Sequence, residues 1–245
     1  MTNTSEAPKS ETLIDHANSF NRLTSDQTIS TSKPQKTRVL LVITRMTMGS
    51  TNVVLDIASH LNQQPHFEVN IAAGPVPDYE VDLTPLAYEK AIPTKIVKSL
   101  TNRKNPLLGL KAFSELREHM VHGNYDIVHT HSSMAGVLGR LAAFTARVPV
   151  IIHHVHGWGL QEDMSNAMQM VYLGLERLCA AITDRMIAVS RPTIQKGLEY
   201  RICGEDKFRL IYNGINLEKF RQQIDEQQVR RDLGLDPEYK LVGMV

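Results

Sequence analysis

The sequence predicts an α/β domain, a Rossmann-like doubly wound parallel sheet. Three observations carry that reading. Continuous apolar runs such as Arg38-Val39-Leu40-Leu41-Val42-Ile43-Thr44 are rich in β-branched residues, the pattern of strands buried on both faces. Stretches with apolar residues at three- and four-residue steps follow these runs. The connections between them are short, so strand and helix alternate as they do in sheets built from right-handed crossovers. With 245 residues, 42% hydrophobic and 22% charged, the chain has the composition of a globular protein and not of a disordered, collagen-like or coiled-coil one.

The elements follow in order. Residues 38–44 form the first strand. Residues 52–64 are helical, with Val53, Val54, Ile57, Ala58 and Leu61 on one stripe. Residues 67–73 are a strand closed by Gly74-Pro75, and residues 94–98 a weaker one. Pro106 opens a helix carrying Leu110, Phe113, Leu116 and Met120, which ends at Gly123. A strand at 126–130, a small-residue helix at 135–147 and a strand at 149–155 come next. A long helix at 165–183 places Met168, Val171, Leu175, Leu178 and Ile182 on one stripe and reads as a buried crossover helix. Strand 185–189, helix 192–200 and strand 208–211 complete the alternation. Helix-like residues 225–233 lead to Leu235-Asp236-Pro237, and residues 240–245 read as the start of another apolar strand. That strand either completes the sheet as an edge or opens a second domain. The expected organisation is therefore a tail at 1–36, the α/β domain at 37–216, and a linker with a first strand of a truncated domain at 217–245.

Composition narrows the function. The first 36 residues hold 8 apolar residues and 12 Ser or Thr, too little apolar surface to offset ordering entropy, so a disordered tail is expected. Lys and Arg total 27 against 26 Asp and Glu, a net charge of +1, which argues against a nucleic-acid partner. Cys179 and Cys203 stand without metal-type spacing. There is no leader-like apolar core at the start and no apolar run long enough to span a bilayer, so a cytoplasmic protein is expected, with peripheral membrane contact open to it.

In a sheet of this kind ligands bind beyond the C-terminal ends of the strands, so chemistry is sought just after each one. The segment Arg45-Met46-Thr47-Met48-Gly49-Ser50-Thr51 reads as a loop feeding a helix N-terminus, where free N–H groups favour an anion. It lacks a G-x-G-x-x-G or P-loop pattern. Two histidine-rich strand ends follow, Val128-His129-Thr130-His131 and His153-His154-Val155-His156-Gly157. Strand alternation puts His129 with His131 on one face, and His154 with His156. Buried imidazoles bonded to backbone carbonyls are expected for His129, His153 and His154, and substrate contact for His156, whose neighbour Gly157 admits a ligand. The two H-x-H pairs offer metal ligands, but no Cys or carboxylate joins them at ligand spacing, and no metal is expected. No D-x-D and no G-x-S-x-G occurs. Lys95, Lys98, Arg103 and Lys104 read as a solvated loop or a holder of lipid-linked phosphate.

With these residues placed, 38–220 resembles the N-terminal domain of the GT-B glycosyltransferases of family 4. The resemblance rests on an ordered set of blocks: Gly49 followed by Val53-Val54-Leu55-Asp56-Ile57-Ala58; Asp126-Ile127-Val128-His129-Thr130-His131-Ser132; Ala135-Gly136-Val137-Leu138-Gly139-Arg140; Val155-His156-Gly157-Trp158; Thr183-Asp184-Arg185-Met186-Ile187-Ala188-Val189-Ser190; and Ile211-Tyr212-Asn213-Gly214-Ile215-Asn216 with Phe220. It implies a transferase acting in a cleft between two domains, the first binding mainly the acceptor and the second a nucleotide-diphosphate sugar. That sugar is a substrate, and no other cofactor or metal is implied. Gly49 and Ser50 are then expected to face the donor diphosphate, and His156 to be the catalytic residue. Gly157, His131 and Ser190 line the cleft, and Asn213-Gly214 begins the hinge. The first loop departs from the family's usual Gly-Gly then Ala-Glu, carrying Met48-Gly49-Ser50-Thr51. The family's Glu-x7-Glu donor grip is not in these residues, so little activity is expected of this chain alone. The expected partners are a nucleotide sugar, a glycan or lipid-linked acceptor of cell-surface polysaccharide synthesis, and a chain supplying the C-terminal domain. Two alternatives stand beside this reading: a non-catalytic binding module or half of a split enzyme, and a metal-dependent hydrolase using the histidines.

Overall fold

The computed structural model describes residues 36–102, 105–160, 164–215, 217–221, 224–236, 238–240 and 242. The sequence-expected tail falls outside them but for its last residue, as does most of the strand at 240–245. Among the described residues, seven strands form one parallel sheet: β1 (Thr37–Arg45), β2 (Phe67–Gly74), β3 (Thr94–Ile96), β4 (Ile127–His131), β5 (Val150–Val155), β6 (Arg185–Ala188) and β7 (Phe208–Leu210). Their order is β3-β2-β1-β4-β5-β6-β7, so the order reverses between β1 and β4. The helices are α1 (Met48–Asn62), α2 (Thr84–Glu89), α3 (Pro106–Gly123), α4 (Ser133–Thr145), α5 (Asn166–Ala181), α6 (Arg191–Glu199), α7 (Leu217–Arg221) and α8 (Glu226–Asp232). The doubly wound α/β fold expected from the sequence is the fold observed.

Register is pinned at the strand starts. Asp126, just before β4, accepts the Arg38 N–H at 2.7 Å through its carboxylate and donates its own N–H to the Arg38 carbonyl at 2.9 Å. Asp184, just before β6, does the same to Ile151 of β5, at 2.7 and 2.8 Å. Charge-assisted bonds of this kind are among the stronger ones.

The two faces of the sheet are covered unequally. On one, Leu40, Val42, Val128 and Ile151 pack with Ala112, Leu116 and Met120 of α3 and Ala135, Ala142 and Ala143 of α4. Val155, Met186, Ala188 and Phe208 continue that face under Ala180 of α5 and Ile194 and Leu198 of α6. On the other, Val39, Leu41, Ile43, Val69 and Ile71 pack with Val54, Leu55 and Ala58 of α1 and Ala87 of α2. This second apolar layer ends at Ile127, and histidines take over beyond it.

Three sequence expectations change. The segment read as a loop at 45–51 is mostly helix: Thr47 is the extended N-cap, and Gly49 and Ser50 lie in the first turn of α1, where Thr51 Oγ1 donates to the Thr47 carbonyl at 3.0 Å. α2 was not anticipated, its six residues opening with Pro85 near the N-terminus and lacking a long apolar stripe. The stripe on α5 is not buried: Met168, Val171, Leu175 and Leu178 are 40–59% exposed. Glu176, Cys179 and Ala180 face inward instead. The reason is an ion pair. Arg140 of α4, fully buried, meets Glu176 at 2.8 Å and donates from Nε to the Gly136 carbonyl at 2.7 Å. A buried guanidinium without its carboxylate is strongly disfavoured, so the pair sets the rotation of α5.

That pair yields a direct expectation. Glu176→Ala should lower the unfolding free energy by about 3–5 kcal/mol in urea titration, because it leaves Arg140 buried and unpaired. The double replacement Arg140→Met with Glu176→Leu should recover most of that loss.

Candidate functional site

The site is built at the point where strand order reverses, beyond the ends of β1 and β4, the place such sheets leave open for ligands. Thr44 and Ser132 lock these two strand ends together. Their hydroxyls lie 2.6 Å apart, Ser132 Oγ accepts the Thr44 N–H at 3.2 Å, and Thr44 Oγ1 accepts the Ala135 N–H at 3.0 Å. Ser132 caps α4 with φ 64° and ψ 162°, a conformation that L-residues rarely adopt. Such strain is of order 1–3 kcal/mol and persists only where surrounding bonds enforce it. Across this junction Gly49 stands exposed in the first turn of α1, with no atom within 4 Å of a Cβ added there. First-turn N–H groups lack intrahelical partners, so this end of α1 can approach an anion closely.

The histidines form the floor. β4 and β5 are parallel neighbours with His131 opposite His154, so strand alternation carries His129, His131, His154 and His156 onto the same face. His129 and His131 have ring centroids 4.4 Å apart; His154 and His156 stack at 4.4 Å with an interplanar angle of 1°. His131 Nδ1 and His156 Nε2 share a hydrogen bond of 3.0 Å. His129, His131 and His154 are buried, while His156 is partly exposed. The carbonyl bonds expected for His129 and His154 are not what the structure shows: His129 Nε2, His131 Nε2 and both nitrogens of His154 are buried without a partner. His153 points to the opposite face, where its Nδ1 meets Thr130 Oγ1 at 2.8 Å, a hydroxyl and not a carbonyl. Its ring fills the space beside Gly136, where an added Cβ would lie 2.6 Å from it.

Burial governs their protonation. Loss of solvation holds the His129 and His154 pKa values down at about 3, with neighbouring imidazoles adding to the effect. Burial also pushes His131 well below the usual imidazole range, as it does His153, where the Arg140 charge adds to it. His156 is lowered by burial as well. The floor is therefore a set of neutral rings.

The rim comes from the following turns. Gly157 is open, with nothing within 4 Å of an added Cβ. Trp158 donates from its indole to the Thr193 carbonyl at 2.9 Å, and Gly159 N–H donates to the Tyr172 hydroxyl at 2.8 Å, tying this turn to α6 and α5. The Ser190 hydroxyl is engaged as the N-cap of α6, accepting the Thr193 N–H at 3.3 Å. Asn213 and Gly214 line a cavity of about 650 Å³ with Val53, Asp56, Ile57 and His60 of α1, and His154 forms part of its wall. Of the expected site residues, the structure thus brings His131 against His156, and Asn213 and Gly214 beside His154. Thr44, Ser132 and Tyr172 join the site without a sequence signal of their own, except that Ser132 closes the block Asp126-Ile127-Val128-His129-Thr130-His131-Ser132. Lys95 and Lys98 line a hollow of about 430 Å³ together with Lys111, Glu115 and Glu118, a surface of mixed charge. Arg103 and Lys104 lie outside the described residues.

Residues 48–219 match the family described as Glycosyltransferase Family 4. The chain belongs to this family. An Escherichia coli UDP-Gal:alpha-D-GlcNAc-diphosphoundecaprenol alpha-1,3-galactosyltransferase is 29% identical over 170 residues, which are 68% of this chain and 42% of that protein. A D-inositol 3-phosphate glycosyltransferase of Streptomyces bingchenggensis is 30% identical over 122 residues, 47% of this chain and 26% of that one. The chain thus spans less than half the length of these glycosyltransferase relatives. Among solved structures, Anabaena HepE in complex with UDP and glucose superposes with a TM-score of 0.60 at 19% identity, covering 80% of this chain and 50% of that one. Sucrose-phosphate synthase from Thermosynechococcus elongatus gives 0.61 at 17%, covering 83% and 54%. These structures share the Rossmann-like fold.

The neutral imidazoles make stability pH-dependent. In the unfolded chain they titrate near 6.5, so below that value the unfolded state takes up protons that the fold refuses. Stability is complete above about pH 6.5 and falls as pH drops toward about 3, where His129 and His154 charge in the fold. Each buried ring should remove about 1.4 kcal/mol per pH unit in that window. A melting series from pH 7.5 to 4.5, with chelator present, should show a steep fall that flattens in His129→Phe.

Proposed function

We propose that this chain is the acceptor-side part of a glycosyltransferase that moves a sugar from a nucleotide-diphosphate donor to a glycan or lipid-linked acceptor in cell-surface polysaccharide synthesis. The observation that carries the reading is the junction of an exposed Gly49 in the first turn of α1 with the locked ends of β1 and β4, in a chain of this family. Gly49 and Ser50 would receive the donor diphosphate on backbone N–H groups. His156 is the catalytic residue, partly exposed and held from behind by His131, with Gly157 leaving room for the sugar. Asn213 and Gly214 form the hinge side of the cleft, and Ser190 acts from its position as the α6 cap. The donor is a substrate, and the transfer needs no further cofactor.

The E. coli relative's name pairs UDP-Gal with a diphosphoundecaprenol-linked acceptor, which supports a lipid-linked acceptor here. No described helix is long and apolar enough to cross a membrane. Exposed Met168, Met170, Val171, Leu175 and Leu178 on α5 suit peripheral contact, and we place the protein in the cytoplasm at the inner face of the plasma membrane. The donor grip would come from a C-terminal domain, in the same or a partner chain, because the match covers 42% of that relative.

Two measurements test this. Transfer from a UDP-sugar to a polyprenyl-diphosphate acceptor by the 245-residue chain should run at least about 100-fold slower than after addition of a family C-terminal domain, since oxyanion-type stabilisation of the leaving group is worth that much or more; equal rates would sink the two-domain reading. His156→Ala should remove most of the reconstituted rate. Binding to anionic vesicles should weaken several-fold in Val171→Glu and Leu175→Glu, with the melting temperature unchanged.

A further inference from the structure

We propose that His129, His131 and His154 form a binding site for one divalent transition-metal ion of the Zn2+ type. Each ring offers one ligand nitrogen, and the three nitrogens lie within 4.8 Å of one another. All three side chains are more than nine-tenths buried. Each carries a buried nitrogen with no hydrogen-bond partner: Nε2 of His129, Nε2 of His131, and both nitrogens of His154. An unsatisfied buried polar atom is costly, and three converging ones on a single sheet face call for a shared ligand.

The chemistry of the set selects the ion. Imidazole nitrogens suit Zn2+, Co2+, Ni2+ and Cu2+, whereas Mg2+ and Ca2+ require oxygen ligands, and none of the three residues supplies one. A neutral ring is the ligating form, and burial keeps these rings neutral. Zn–N bonds of about 2.0–2.1 Å set tetrahedral donor nitrogens about 3.3 Å apart. Closing from 4.8 Å needs a movement of roughly 1.5 Å at most, within reach of rotation about the Cβ–Cγ bonds.

The surroundings fit as well. Metal-bound histidines usually donate their other ring N–H to an outer acceptor, which fixes the tautomer. The 3.0 Å bond between His131 Nδ1 and His156 Nε2 suits that arrangement, because the tautomer in which Nδ1 donates leaves the His131 Nε2 lone pair free for an ion. His154 also lines the cavity of about 650 Å³ beside α1, which gives an ion a way in. Three ligands leave a fourth position for water. No carboxylate or thiolate belongs to the set, so the site is distinct from both the Cys-rich structural zinc type and the acidic type that holds Mg2+.

The test uses the full chain, stripped with chelator and dialysed. Competition against a chromophoric chelator should show one equivalent of Zn2+ bound, and Co2+ should produce the intense visible bands of a four-coordinate site. His131→Ala and His154→Ala should each weaken Zn2+ binding at least 100-fold. His156→Gln should weaken it about 10- to 100-fold, the usual effect of losing an outer partner. His66→Ala and His122→Ala, at exposed positions outside the cavity beside α1, should leave it unchanged. Zinc X-ray absorption on the unmutated chain reads the ligands even if a core variant fails to fold, and three or more imidazoles are expected. Fewer than three imidazoles, binding that survives the loss of His131 and His154, or no stoichiometric binding would overturn the site.

Discussion

The relative register of the parallel strands is the constraint on which the rest depends. Asp126 and Asp184 hold it, each clasping one residue of the neighbouring strand through carboxylate and backbone together. Side chains alternate across a sheet with period two, so a slip of one residue would send every imidazole of a strand to the opposite face. Between β4 and β5 the Asp126 carbonyl accepts the Val150 N–H at 3.1 Å, and this pairing sets His131 opposite His154, so that four histidines from two strands become one floor. The Asp126 clasp brings the ends of β1 and β4 level, which lets Thr44 and Ser132 close the junction above which α1 begins.

Unequal covering of the sheet explains why polar groups gather where they do. The face under α3, α4, α5 and α6 is filled mainly by apolar side chains, with His153 bonded to Thr130 and with Arg140 and Glu176 neutralising each other inside it. The opposite face is covered by α1 and α2 only as far as Ile127. Beyond that edge the strands carry histidines, which fill space like aromatic residues while keeping nitrogen atoms for bonding. Strain at Ser132 and unpaired nitrogens at His129, His131 and His154 lie side by side at this edge. Departures from local preference concentrated at one place mark a site shaped for binding and not for stability alone.

Much of the fold was legible because its signals are local. Continuous β-branched runs mark strands buried on both faces, and β1, β2, β5 and the helix from Pro106 to Gly123 fall within a residue or two of their expected bounds. Helix starts read less well: α1 begins four residues before the expected position because Thr47 caps it by conformation alone, without a side-chain bond. The stripe on α5 misled for a different reason. Apolar spacing says that a face exists but not which way it turns, and Arg140, thirty-six residues earlier, turns Glu176 inward.

By itself the sequence determined the fold class, the alternation of elements and the family, because each rests on periodicity or on contiguous blocks of residues. It also placed His129 with His131, and His154 with His156, since alternation within one strand is local geometry. That these two pairs meet was decided only by tertiary structure, as was the depth at which they lie, the outward rotation of α5 and the bond from Ser132 to Thr44. Each of those depends on pairing between segments far apart in the chain. Such pairing is fixed by backbone register and buried charge, and neither leaves a periodic trace in the residues that it brings together.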